Sequence, residues 1–220
     1  SLEFNQQAFD IFSGLRDSAG VANCYISLGH IYKGLGQKEI ELEYHRKSYA
    51  IFTRMNLPER IGVSSYNLGE SYFNNGDTAA SRQMILRSIG VNDSLENLAV
   101  LSACYNILGK LELASGKPES AKTCFLKVLE IKSSLGADAQ EIATSDSYLQ
   151  LAAVSRLQKN RQEQLSYLKM AEEFCIENDL NSSLKSVYLE FTKYYSEIND
   201  ARAALKYLQE FKRVQDSTEM

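Results

Sequence analysis

The sequence lacks the features that several classes of protein require. No apolar run approaches the ~20 residues that a membrane-spanning helix needs, and no secretory signal peptide opens the chain. The net charge of −4 and the pI near 5.4 give no sign of the basic surface that nucleic-acid binding uses. With 44% hydrophobic and 24% charged residues, the chain can nevertheless bury a substantial core. We therefore predict a folded cytoplasmic protein that binds neither nucleic acid nor membrane.

Groups that support catalysis or bind metals are scarce as well. The four cysteines are far apart and form no C-x-x-C pair, which favours free core thiols: Cys24, Cys104, Cys124 and Cys175. Of the two histidines, His45 lies four residues after Glu41, a spacing more typical of an exposed helix pair than of half a metal site. No Ser or Cys lies in a nucleophile motif, and no glycine-rich loop follows a strand pattern. We predict no cofactor, no metal site and no enzymatic activity.

A short pattern returns at a spacing of forty residues. Leu-Gly-x-x-Tyr-x-x-x-Gly occurs twice, and a third copy has Glu in place of Tyr; these copies begin at Leu28, Leu68 and Leu108. The positions that follow also repeat, with Tyr44, Met84 and Cys124 in register. Downstream the register slips by three residues and then resumes, so that Leu151-Ala152 and Phe191 take the Leu-Gly place. A fixed period of this size indicates stacked supersecondary units.

Each unit contains the signals of two helices. Leu28 and Tyr32 lie on one helical face, and the small Gly29 allows a neighbouring helix to approach closely. Pro58, Pro118 and the capping residue Asp77 begin helices. Residues that adopt a positive φ easily are predicted to end them: Gly36, Gly76, Gly116, Asn160 and Asn199. No segment alternates apolar and polar residues long enough for a strand, so the fold is predicted to be all-α.

The motif L-G-x-x-Y-x-x-x-G, followed by a second amphipathic helix, resembles the tetratricopeptide repeat (TPR). The resemblance covers essentially the whole chain, although the first-helix Trp is absent and the period of forty residues exceeds the usual length of about 34. It implies a right-handed superhelical solenoid of antiparallel helix pairs, with about eleven helices in a single domain over residues 1–220. We place a half repeat at 2–18 and repeats at about 21–55, 59–95, 98–135, 139–178 and 181–217.

The half repeat would leave the apolar residues Phe4, Ile11 and Phe12 of a lone helix uncovered. We therefore expect the chain to be a fragment of a longer protein. The alternative is a homodimer formed through this terminal helix.

The resemblance also implies where a ligand binds. In TPR proteins a concave groove, lined chiefly by the first helix of each unit, holds a partner protein or an extended peptide. Positions two and five residues to either side of each packing Leu supply the candidate partner-binding residues, which are Asn23, His30, Lys33, Tyr66, Glu70, Phe73, Asn106, Lys110, Arg156 and Lys193. Asn side chains there would bind a peptide backbone and the cations would bind its carboxylates.

Repeats of forty residues resemble the regulatory or sensory TPR regions of bacterial signalling proteins. This resemblance implies a non-catalytic protein- or peptide-binding module that controls an attached output domain. The alternatives are a free-standing TPR adaptor and a self-associating scaffold.

Overall fold

The computed structural model describes residues 2–135 and 141–218, and these residues form eleven α-helices without a strand. The helices are α1 (Leu2–Gly14), α2 (Ser18–Gly34), α3 (Lys38–Met55), α4 (Pro58–Asn74), α5 (Thr78–Ser94), α6 (Leu98–Ala114), α7 (Pro118–Leu135), α8 (Glu141–Leu157), α9 (Arg161–Glu177), α10 (Asn181–Glu197) and α11 (Ala201–Thr218). The prediction of an all-α fold with about eleven helices is confirmed. The first two residues of the repeat that we placed at 139–178 lie outside the described part of the chain.

The turns follow the predicted chemistry, with one exception. Gly36, Gly76 and Gly116 have φ angles of 72°, 82° and 70°, and Asn199 has a φ of 60°. The prediction for Asn160 was wrong, because the positive φ of 60° falls on Lys159. Asn160 instead caps the next helix, since its side chain accepts a hydrogen bond from the backbone N–H of Glu163.

Three helix starts are those that the sequence predicts, at Pro58, Pro118 and the residue after Asp77. Pro58 and Pro118 are the first residues of α4 and α7, where a missing backbone N–H costs nothing. Asp77 caps α5, with its carboxylate accepting from the N–H of Ala80 at 3.0 Å. Asp17 caps α2 in the same way, through the N–H groups of Ala19 and Gly20.

The chain divides into two compact units, residues 1–111 and 112–220, with the division inside α6. In unit 1 consecutive helices from α1 to α5 pack against one another, and a buried cluster of Ala22, Phe52 and Ile61 joins α2, α3 and α4. In unit 2 consecutive helices from α7 to α11 pack in the same way. There a larger apolar cluster runs from α8 to α11 and includes Leu168, Val187 and Phe191.

The packing seam of unit 1 depends on glycine, as the sequence predicts. A Cβ atom on Gly29 would lie 2.2 Å from Nε2 of His45, and one on Gly69 would lie 2.8 Å from Cδ1 of Ile85. Gly29 and Gly69 are equivalent by the forty-residue period, as are His45 and Ile85. In these two pairs a side chain on the first helix would therefore overlap His45 or Ile85 of the second helix.

Candidate functional site

The first helices of unit 1 bring three predicted residues into contact. Nζ of Lys33 on α2 lies 2.6 Å from Oε2 of Glu70 on α4, and the phenol of Tyr66 donates a hydrogen bond to the same carboxylate. Tyr66 and Glu70 are four residues apart and so share one face of α4. Burial, followed by the negative charge of Glu70, raises the pKa of Tyr66. We call the surface formed by Lys33, Tyr66, Glu70 and Asn106 the first-helix face of unit 1.

A buried polar cluster lies under one end of this face. His30 is exposed, and its ring packs against that of the buried His45, with centroids 5.4 Å apart. Nδ1 of His45 lies 2.7 Å from the hydroxyl of Ser71, which in turn donates to Oε1 of Glu41 at 2.9 Å. Burial, with a further contribution from His30, lowers the pKa of His45 to about 4.

The expectation of an exposed Glu41–His45 pair was therefore wrong, because both residues are only 1% exposed. The repeat itself contains the signal that identifies them as core. At forty-residue intervals His45 aligns with Ile85 and Phe125, both fully buried, and Glu41 aligns with two further buried residues, Ser81 and Ala121. The i, i+4 spacing alone does not distinguish the solvent face of a helix from the core face.

The remaining predicted residues of unit 1 lie on the same helices. Asn23 is exposed on α2, and Phe73 and Lys110 are half-buried on α4 and α6. Asn106 on α6 is half-buried as a residue, yet its Oδ1 atom is shielded from water and accepts no hydrogen bond. An amide oxygen in this state lacks the partner that almost all buried polar atoms have.

In unit 2 the structure does not bring the two predicted cations together. Nη1 of Arg156 on α8 lies 3.5 Å from Oε1 of Glu197 on α10, so this pair connects two first helices, as Lys33 and Glu70 do in unit 1. Lys193 pairs with Glu190 on its own helix. Each of the two cations is exposed and already has a carboxylate partner.

Other kinds of site find little support in the described part of the chain. Residues 2–135 and 141–218 contain no group of three or more His, Cys, Asp or Glu side chains arranged to hold a metal ion. The four cysteines are free and buried, and burial raises the pKa of Cys104 to about 11, which disfavours the reactive thiolate. None of the helices described is long and apolar enough to cross a membrane.

Comparison with known proteins identifies the class of repeat. Residues 102–135 match the family model of the tetratricopeptide repeat, which confirms the resemblance inferred from the Leu-Gly motif. No curated protein matches the sequence. The chain is thus a TPR-like helical repeat protein, and solved structures extend this fold to its whole length.

Three such structures come from different organisms. BtubC (BKLC) from P. vanneervenii is 12% identical, with 99% of this chain and 90% of that chain covered and a TM-score of 0.82. The repeats of a putative kinesin light chain from Podosopora anserina are 17% identical, with 89% of this chain and 95% of that chain covered and a TM-score of 0.71. Aspartyl phosphate phosphatase F from Bacillus subtilis is 18% identical, with 97% of this chain and 54% of that chain covered and a TM-score of 0.67. At these identities the likeness concerns the fold.

Proposed function

We propose that this protein is a non-catalytic module that binds an extended segment of another protein through the first-helix face of unit 1. The single observation that carries the proposal is the Oδ1 atom of Asn106, an acceptor without a donor on a half-buried residue. Leaving such an atom unsatisfied costs about 1–3 kcal/mol, and a peptide N–H that donates to it would remove that cost. TPR-like repeats are typical protein-binding modules, which supports the same conclusion.

The charges on the first helices of the repeats favour recognition of the peptide backbone over recognition of acidic side chains. Lys33, Arg156 and Lys193 are already paired with carboxylates of this chain. An acidic ligand would have to displace those internal partners, and the net gain of such an exchange near the surface is small. An amide acceptor, by contrast, satisfies any peptide N–H regardless of the ligand's side chains.

Fluorescence anisotropy with pools of labelled random peptides tests this proposal. The pools are acidic, neutral or basic, and each is made with normal and with N-methylated backbones. We expect binding that depends little on peptide charge and is lost on N-methylation. In the Asn106→Leu variant the affinity should fall at least about tenfold, which corresponds to a loss of about 1.4 kcal/mol of binding free energy. The matched control is Gln83→Leu, which removes an exposed amide from the second helix α5.

Absence of binding by every pool would overturn the proposal. Unchanged binding by Asn106→Leu, or equal binding of N-methylated peptides, would also overturn it. Tyr66 is unsuitable as a first test position, because the hydrogen bond to Glu70 and its burial give its replacement a cost in stability.

A role in bacterial signal transduction is the finer part of the proposal. The similarity in fold to aspartyl phosphate phosphatase F from Bacillus subtilis and the forty-residue period support a regulatory region attached to an output domain. Sequencing the gene on both sides of the region that encodes this chain tests it. A kinase, cyclase or DNA-binding domain next to the repeats is the expected result, and a gene that encodes only repeats would favour a free-standing adaptor.

Self-association is a second candidate function, which the exposed apolar residues of the terminal helices favour. Phe4, Ile11 and Leu15 at α1 are 71%, 60% and 71% exposed, and Leu205 and Leu208 of α11 are 56% and 46% exposed. α1 carries two acidic and no basic side chains, whereas α11 carries four basic and two acidic ones. A second copy could therefore bind head to tail, α1 against α11, with complementary charge.

Sedimentation velocity over a range of protein concentrations separates the two candidates. Head-to-tail binding predicts growing oligomers that the Leu205→Ser, Leu208→Ser variant abolishes. A monomer at every concentration would exclude self-association and leave peptide binding untouched.

A further inference from the structure

A cleft of about 390 Å³ lies in unit 1, where α1 ends, α2 begins and α3 ends. It shares no residue with the first-helix face. Its size falls within the range of small-ligand sites, about 300–1,000 Å³. It is therefore large enough to hold an amino acid side chain or a short organic acid.

The floor of the cleft is apolar. Phe12, Val21 and Ile51 are half-buried there, one from each of the three helices, and Met55 adds a flexible side chain at the edge. A Cβ atom on Gly20 would lie 2.3 Å from Cδ1 of Phe12, so the ring is in direct contact with the backbone of α2. An apolar floor that is already packed against the backbone binds an apolar substituent without a large loss of side-chain entropy.

Two arginines line the same cleft. Arg16 and Arg54 are both exposed, and neither makes a side-chain hydrogen bond, an ion pair or an aromatic contact with any residue that the structure describes. The one carboxylate in the cleft belongs to Asp17, and its Oδ1 accepts from two backbone N–H groups at the start of α2. Asp17 therefore acts as a helix cap and leaves both guanidinium groups available.

The repeat shows that the fold requires the floor but not the arginines. The floor positions Phe12, Val21 and Ile51 correspond by the forty-residue period to Phe52, Ile61 and Val91. The positions of Arg16 and Arg54 correspond instead to uncharged or acidic residues, which are Asn56 and Ser94 in the next repeat and Glu96 and Ser134 in the one after. A cation near the end of α3 also complements the helix dipole, but neither of the later repeats has one at this position.

We propose that this cleft binds a carboxylate that carries a short apolar group, with the carboxylate between Arg16 and Arg54 and the apolar group on the floor. Guanidinium groups bind carboxylates through paired hydrogen bonds, and the apolar contact adds affinity through burial. The last residue of a peptide and a free organic acid share this chemistry. The site is independent of the proposed binding of a peptide along the first-helix face.

The first experiment compares three ligands by NMR titration of the whole ¹⁵N-labelled chain. N-acetyl-leucine represents a peptide C-terminus, octanoate represents a free organic acid, and N-acetyl-leucinamide is the uncharged control. We expect one or both acids to bind and to shift the amide signals of Ala19, Gly20 and Arg54, with the uncharged amide binding at least about tenfold more weakly. Whichever acid binds more tightly identifies the source of the ligand.

The second experiment uses residues that the protein itself places at equivalent positions. In the Arg16→Asn, Arg54→Ser variant, both arginines are replaced by the residues that stand forty positions further on, Asn56 and Ser94. Because both arginines are exposed, the melting temperature of the variant should stay near that of the parent. Acid binding should fall at least about tenfold. The control Arg161→Asn, Arg202→Ser removes the same charge from exposed positions of unit 2 and should bind as the parent does.

Several results would overturn the proposal. These are the failure of both acids to shift the signals, equal binding of the uncharged amide, and an equal loss of affinity in the control variant. The first two need no variant, so they hold even if a substitution affects folding. None of them bears on the peptide pools that test the first-helix face.

Discussion

The two units have the same helical architecture but different cores. Among the described residues of unit 1, eleven buried side chains are polar and eleven are hydrophobic; in unit 2 six are polar and eighteen are hydrophobic. Over residues 2–135 and 141–218, the buried polar side-chain atoms without a hydrogen-bond partner all lie in unit 1. They belong to Asn5, His45, Ser48, Ser65, Asn67, Ser81, Asn92 and Asn106. Similar helices thus pack around an even mixture of polar and hydrophobic side chains in one unit and around mainly hydrophobic side chains in the other.

This difference predicts a difference in stability. Each unsatisfied buried polar group costs about 1–3 kcal/mol, whereas each large apolar side chain that becomes buried contributes about 1.5–3 kcal/mol. Unit 1 is therefore expected to open locally at a lower free energy than unit 2. The comparison is practical to measure, because each unit contains two buried free thiols, Cys24 and Cys104 in unit 1 and Cys124 and Cys175 in unit 2. Their rates of alkylation, resolved by mass spectrometry, report the opening of each unit.

The largest effect is expected from Gly29→Ala. The added methyl group would overlap the ring of His45, which cannot retreat because it is buried and hydrogen-bonded to Ser71. We expect a loss of about 3 kcal/mol, at the upper end of overpacking costs. Thiol alkylation in unit 1 and urea unfolding provide the measurement.

Two controls define that prediction. Gly34→Ala, at the end of the same helix, meets no atom within 4 Å and should leave stability unchanged or slightly raised. In unit 2 the equivalent seam position is Ala152, which packs with Leu168, so Ala152→Gly should cost only about 1 kcal/mol. A Gly29→Ala variant as stable as the parent would show that His45 can repack.

The second prediction concerns acid. Unfolded His45 has an ordinary pKa of 6.5, whereas burial lowers the pKa of the folded residue to about 4. Below pH 6.5 the unfolded chain therefore binds a proton that the folded chain does not, and unit 1 loses stability as the pH falls toward 4. Around His45 the charged or titratable groups are His30, Glu70 and Lys33, with Glu41 beyond Ser71. We expect a loss of about 2 kcal/mol between pH 7 and pH 5.

Unit 2 should respond differently over the same range. It contains no histidine, and burial raises the pKa of Glu172, which makes the folded state bind its proton more readily. Its stability is thus expected to change little on acidification. The raised pKa of Glu172 favours the folded state at low pH, whereas the pKa of Glu163, which its hydrogen bond with Lys122 lowers, acts in the opposite direction. The His45→Gln variant should remove the acid sensitivity of Cys24 and Cys104 alkylation. Equal acid sensitivity of the two units would contradict the assignment to His45.

Sequence analysis predicts the local features of this fold well and the contacts between its helices poorly. Glycine turns, proline starts and the Leu-Gly seam are local features, so the period alone placed Gly36, Gly76 and Gly116 correctly. Partners across helices are not local, and the ion pair of Lys33 with Glu70 was not predicted although both residues were expected on the face. Their contact depends on how two helices pack, which spacing within one helix does not determine.

The third prediction tests the polar core directly. The hydroxyl groups of Ser48, Ser65 and Ser81 are buried without a hydrogen-bond partner. Replacement by Ala removes each unsatisfied group and improves helix propensity, so we expect each variant to gain about 1 kcal/mol. Urea unfolding and slower alkylation of the unit 1 thiols measure the gain.

Ser155 of unit 2 is the matched control. It is also buried, but its hydroxyl donates to Oε2 of Glu163 at 3.0 Å. Ser155→Ala should therefore lose up to about 1 kcal/mol, opposite in sign to the serines of unit 1. A loss of stability at all four positions would mean that water satisfies the unit 1 hydroxyls.

The smallest effect is expected where the two units agree, in the backbone of their turns. Glu96 in unit 1 and Lys159 in unit 2 have φ angles of 52° and 60°, in a region that glycine adopts without strain. A left-handed conformation costs a side-chain-bearing residue about 1–2 kcal/mol, and the greater freedom of unfolded glycine offsets part of that cost. We expect Glu96→Gly and Lys159→Gly to raise stability by about 0.5 kcal/mol each, as measured by urea unfolding. Equal gains would show that the difference in stability between the units comes from their cores. A gain in only one unit would show that the turns contribute to this difference as well.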